Sequence, residues 1–143
     1  MIWKFDATDG RAAGTAKAAL LKRIRSQAGP SADLVLFELV FSELVGNVAR
    51  HAPKIAAATL EWQDGGAVLH VSDSGPGFSH KTYLPQNPLS ESGRGLFLVE
   101  NMSKKLQINC LPGGGSRVSV WLPIYRLAEP SLSARPESAY SLG

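Results

Sequence analysis

The chain has 143 residues, 44% of them hydrophobic and 19% charged, and carries a formal net charge of +3, the size and composition of one soluble domain rather than two. No apolar run reaches the roughly 18 residues a membrane span requires, and Met1-Ile2-Trp3-Lys4-Phe5-Asp6 lacks the apolar stretch of a secretory signal. A single cysteine, Cys110, excludes an internal disulfide and fits a reducing compartment, so a cytoplasmic protein with no membrane partner is expected.

Residues 2–6 alternate as a short strand, and Gly10 to Gly14 interrupts before a run of good helix formers over residues 15–28. Lys17, Lys22, Arg23 and Arg25 share that helix and read as a solvated face rather than a nucleic-acid footprint, with docking of an acidic protein between the two. Gly29-Pro30 ends the helix. Ser31 and Asp33 offer N-caps for a second helix that runs to about His51, with Pro53 stopping it. Leu34, Leu36, Phe37, Leu39, Val40, Phe41, Leu44, Val45 and Val48 make this helix apolar nearly all round, as expected of one buried against a sheet.

Residues 55–63 and 67–72 read as strands joined by a hairpin at Asp64-Gly65-Gly66. Phe78 to Ser92 has no period and is long enough for a lid. Gly95 to Met102 is expected to be a short helix, and residues 105–111 and 116–124 a second hairpin around Pro112-Gly113-Gly114-Gly115. After Tyr125 the composition turns to Pro, Ser, Ala and Glu, so a domain over 1–125 is expected to carry a disordered or loosely packed tail over 126–143.

Polar residues on the second helix are not scattered: Glu43, Gly46, Asn47 and Arg50 fall within a sector roughly 100° wide. Glu43 and Asn47 stand one turn apart, so a carboxylate and an amide oxygen can reach one ligand, a pairing that suits a hard cation such as Mg²⁺ shared with phosphates. A solvent-facing stripe is the alternative. Asp73 ends an apolar strand, where it can accept from an amine on a buried ring such as adenine. Gly75 and Gly77 would let backbone and ring approach, and Gly93, Arg94 and Gly95 open a helix whose free N–H groups can bind phosphate.

Among the remaining residues, His51 suits a helix C-terminus, His70 alternates outward on its strand as a surface residue, and His80 lies in the lid. Trp3, Trp62 and Trp121 read as core or edge packing, and Cys110 as a small buried hydrophobe.

Glu43-Leu-Val-Gly-Asn47-Val-Ala-Arg50-His51-Ala52, Asp73-Ser-Gly-Pro-Gly-Phe78, Ser92-Gly-Arg-Gly-Leu-Phe-Leu-Val99 and Gly114-Gly115-Ser116, in that order, resemble the boxes of the GHKL ATPase/kinase superfamily over about residues 1–125. Within it the chain is most similar to bacterial anti-sigma factor serine/threonine kinases. The resemblance implies a Bergerat ATP-binding fold: α+β, a two-layer α/β sandwich with a mixed, mostly antiparallel sheet and helices on one face. It implies ATP and Mg²⁺ as cofactors, with Asp73 on the adenine amine and Gly75, Gly77 and Ser116 near the base. Asn47 would ligate Mg²⁺, while Gly93, Arg94, Gly95 and Leu96 line the phosphates. Glu43 would be the general base on an incoming hydroxyl.

An anti-anti-sigma (STAS-type) protein would be the substrate, a sigma factor a second partner, and transcription the process regulated by partner switching. No direct nucleic-acid contact is expected. Kinases of this kind are often dimers, though the sequence shows no interface signature. Two alternatives stay open: a non-catalytic ATP-binding module that sequesters a partner, and a stand-alone histidine-kinase catalytic domain. A topoisomerase or mismatch-repair ATPase would need a further transducer domain, and no Gly-x-x-x-x-Gly-Lys-[Ser/Thr] phosphate loop is present.

Overall fold

The structure is a computed structural model that describes residues 1–50, 55–73 and 91–127, with backbone alone for 91–95. His51, Gly75, Gly77, His80, nearly all of the expected lid, and the tail beyond residue 127 lie outside the described residues. In chain order the elements are β1 (Trp3–Asp6), α1 (Gly10–Ala28), α2 (Leu34–Arg50), β2 (Ile55–Gln63), β3 (Gly66–Asp73), α3 (Glu91–Met102), β4 (Lys105–Cys110) and β5 (Ser116–Tyr125). The strands form one sheet in the order β1-β2-β3-β5-β4, every described pairing antiparallel. This is the expected α+β sandwich.

Helix α1 starts five residues earlier than the composition suggests. Asp9 caps it, its Oδ1 accepting from Arg11 N at 3.0 Å and Ala12 N at 3.1 Å. That cap, with the buried stripe Ala16, Leu20, Ile24 and Ala28, outweighs a penalty of about 1 kcal/mol each for Gly10 and Gly14. Asp33 caps α2 in the same way, accepting from Leu36 N at 2.9 Å. Helix α2 is amphipathic rather than buried all round. Phe37, Val40 and Leu44 are inaccessible or nearly so, while Val35 is 79% and Leu39 40% exposed.

The hairpin between β2 and β3 turns as its sequence demands, with Asp64 at φ 51° and Gly65 at φ 82°, the paired left-handed positions of a tight β-turn. Register then sorts the strand residues onto two faces. Leu69 opposes both Leu60 and Val120, and Val71 opposes both Ala58 and Val118. These side chains form one core with Leu20, Ile24, Phe37, Phe41, Leu96 and Val99 from the three helices. Phe41 stacks on Phe5 with ring centroids 6.3 Å apart, which ties short β1 to α2. No described helix is long and apolar enough to cross a membrane.

Three single-residue expectations are overturned. Cys110 is exposed rather than buried, because it ends β4, an edge strand with only β5 beside it. His70 does alternate outward, yet it is only 9% exposed. Trp3 and Trp62 pack against the core as expected, but Trp121 lies on the opposite sheet face with Lys105 Nζ 4.7 Å from its ring centroid.

Candidate functional site

One end of the sheet gathers most of the described residues that the sequence singled out. Asp73 ends β3 and Ser116 begins β5, each one step beyond the last pair, Ser72 with Arg117, so the two are neighbours on adjacent strands. Both are buried, at 4% and 1% exposure. Asp73 also pairs in register with Ala56 near the start of β2. Only residues 51–54 separate that start from the end of α2, a span of at most about 20 Å for a trans chain. The C-terminal turns of α2 and the carboxylate of Asp73 therefore belong to the same end of the molecule.

A hollow of about 370 Å³ opens there, lined by Lys4, Ile55, Ala56, Ala57, Ser72, Asp73, Leu111 and Gly114. Lys4 is a residue the sequence reading passed over as part of a strand. The pairing of Lys4 with Ala57 brings Lys4 to the hollow, and nothing local in the sequence signals that pairing. Gly114 lies in the turn between β4 and β5 at φ 104°, a backbone conformation that glycine adopts without a Cβ clash.

Helix α2 carries the second group of candidates, none of which lines that hollow. Glu43 is half-buried, Asn47 buried and Arg50 exposed. Arg50 Nη2 donates to Asn47 Oδ1 at 3.3 Å, while the buried Asn47 Nδ2 has no hydrogen-bond partner among the described residues. A buried amide donor left unpaired costs about 1–3 kcal/mol, so Nδ2 marks a place where an acceptor is called for. Oδ1, for its part, already receives a cationic donor. In type, the oxygens of Asn47 and Glu43 suit a hard cation that shares most of its ligands with a bound molecule, and such a cation would take Oδ1 in place of the Arg50 donor. Among the described residues no group of three His, Cys, Asp or Glu gathers into a fuller metal cage.

Helix α3 begins at Glu91, ahead of the expected start at Gly95. Gly93, Arg94 and Gly95 therefore fall inside its first two turns, where the leading N–H groups of a helix lack intrahelical partners. Leu96 is 4% exposed and belongs to the core. The structure thus brings Asp73 and Ser116 together, and Glu43, Asn47 and Arg50 together. Gly75 and Gly77 lie outside the described residues.

Comparison with known proteins agrees with this architecture. A family model described as histidine kinase-, DNA gyrase B-, and HSP90-like ATPase matches residues 32–126. Among solved structures, full-length ShkA in complex with AMPPNP is similar with a TM-score of 0.58 and 20% identity, over 90% of this chain and 33% of that one. The histidine kinase AdeS of Acinetobacter baumannii matches at 20% identity and TM-score 0.49, over 87% of this chain and 68% of that one. The chain therefore spans a third of the length of ShkA. No curated protein matches closely enough to be compared.

Proposed function

Because the chain belongs to the histidine kinase-, DNA gyrase B-, and HSP90-like ATPases, we propose that it binds ATP between the Asp73 end of the sheet and the polar face of α2 and acts as a protein serine/threonine kinase of the anti-sigma type. The observation that carries this reading is the pairing on α2: a half-buried carboxylate, Glu43, one turn from a buried amide, Asn47, with an orphaned donor. Glu43 forms no salt bridge with another described residue, which leaves its carboxylate available as a base. A serine or threonine hydroxyl is a weak nucleophile at neutral pH, so its activation needs such a base, whereas an imidazole acceptor is itself a nucleophile.

In the proposed reaction Asp73 accepts a hydrogen bond from the adenine amine, and Ser116 beside it completes that wall. Asn47 Nδ2 and the Arg50 guanidinium donate to phosphate oxygens, and the first turn of α3, which opens at Glu91 and includes Gly93 and Arg94, turns its unpaired N–H groups to the same charge. Asn47 Oδ1 is the atom that would hold Mg²⁺, which when bound neutralises phosphate charge. Glu43 takes the hydroxyl proton as the substrate oxygen attacks the γ-phosphorus, and ADP leaves. The substrate is then a separate anti-anti-sigma protein of the STAS type. Release of a sigma factor follows from the switch of partners, in the cytoplasm, with a homodimer as the working unit.

Incubation with γ-labelled Mg·ATP and that partner protein tests the reading. Acid-stable label on the partner is the expected result, with Glu43→Ala reducing its rate by about 10²–10⁴-fold. Acid-labile label would instead mark phosphohistidine and a histidine-kinase catalytic domain, and no label would mark a non-catalytic ATP-binding regulator. ATP binding is read separately by thermal shift. ATP should raise the melting temperature of wild type and Glu43→Ala, and Asp73→Asn should lose that protection.

A further inference from the structure

A hollow of about 650 Å³, larger than the one at the Asp73 end, lies on the sheet face that the helices leave open. Its volume falls in the range of small-molecule sites, about 300–1,000 Å³. A solvated face of an antiparallel sheet normally carries separate, mobile polar side chains. This one carries a fixed network. His70 is 9% exposed, with Nδ1 2.7 Å from Ser119 Oγ and Nε2 2.7 Å from Glu61 Oε1.

The charges around that network are unequal. Among the described residues, Arg23 and Arg117 line the hollow with one carboxylate, Glu61, and that carboxylate is already engaged by His70. Arg23 reaches over the open edge of β2, its Nη1 donating to Leu60 O at 2.7 Å and its Nε to Gln27 Oε1 at 3.2 Å. The guanidinium is thereby fixed in orientation, with Nη2 left to meet another acceptor. Arg117, on β5, makes no salt bridge within 4.0 Å to a described residue. It stands opposite Asn109 in the β4 register. Gln107 Nε2 occupies Asn109 Oδ1 at 3.0 Å, so the Asn109 amide offers its donor side beside Arg117.

Held guanidinium and amide donors around a partnered carboxylate match a planar or tetrahedral oxyanion, which accepts forked charge-assisted hydrogen bonds. We propose that this hollow is a second ligand site, separate from the nucleotide site, that takes a small phosphate- or carboxylate-bearing molecule against Arg117, Arg23 and Asn109. Ser119, which lines the hollow beside His70, is small enough for such a ligand to reach the network. The site depends on no residue of the proposed kinase chemistry.

Titration of the full chain with inorganic phosphate and with citrate, read by NMR at the Arg117 guanidinium and the His70 ring, tests the proposal and distinguishes the two chemistries. Saturable shifts with at least one of the anions are expected, with the same affinity in wild type and in Asp73→Asn. Arg117→Gln, a substitution at an exposed position, should weaken the binding about tenfold, the scale of one charge-assisted hydrogen bond. Arg117→Lys should recover only part of it, since an ammonium lacks the fork. Shifts that fail to saturate with both anions, that persist unchanged in Arg117→Gln, or that occur only around Asn47 and Leu96 would overturn it.

Discussion

The two faces of the sheet solve the burial problem in opposite ways. Toward the helices, Leu69, Val71, Val120 and Leu122 are at most 2% exposed among other apolar side chains, and their contribution is removal of hydrocarbon from water. Away from the helices, no layer of this chain's described elements covers β3 and β5. Even so, His70 and Ser119 are nearly as inaccessible, at 9% and 7%. Their burial is tolerated because each polar atom has a partner, the condition under which a buried polar group ceases to be a penalty. One face therefore tolerates loss of polarity and the other does not.

Substitutions that cross this division sharpen it, beginning with the helix-covered face. Leu69→Ala removes a fully buried side chain and leaves a cavity between β3 and the helices. It should lower unfolding stability by about 2–5 kcal/mol, read from urea denaturation with an unchanged slope. His70→Ala on the open face should cost less, about 1–3 kcal/mol, chiefly by leaving the Ser119 hydroxyl without its partner. Adding Ser119→Ala to that variant should recover part of the loss. If His70→Ala costs nothing, the open face is an ordinary solvated surface and the contrast fails.

The smallest effect concerns Glu61. The hydrogen bond from His70, supported by one from Gln63 and by the charges of His70 and Arg117, holds its carboxyl below the ordinary value of 4.5 against a smaller opposing effect of burial. The folded state therefore favours the ionised form. The stability that Glu61 contributes is present above pH 4.5 and is lost as pH falls from there through the depressed value. Thermal unfolding followed below pH 4.5 should fall less steeply for Glu61→Gln than for wild type. Half of the Glu61 side chain is exposed, so screening by water keeps the difference small.

Much of the fold was legible because its signals are local. Asp64-Gly65 fixed a turn, and alternation fixed the strands on either side of it. The polar sector of α2 was equally readable, since Glu43, Asn47 and Arg50 recur at helical spacing. Two local signals were misweighted. Gly10 and Gly14 suggested a break, and the cap from Asp9 with the buried stripe behind it decided for helix. The run of α2, apolar nearly all round, suggested a helix buried against the sheet; the neighbouring elements cover only part of its circumference and leave Val35 and Leu39 in water.

By itself the sequence determined the element types, the turn chemistry and the polar sector of α2, because each rests on neighbours within a few positions along the chain. Tertiary structure alone decided what those elements face. The strand order β1-β2-β3-β5-β4 sets β5 beside β3, bringing Ser119 to His70 across 49 positions and Ser116 beside Asp73. The same order leaves Cys110 on an open edge. Alternation along one strand tells which side a residue takes, but pairing between distant strands decides whether water, an apolar core or another polar group awaits it there.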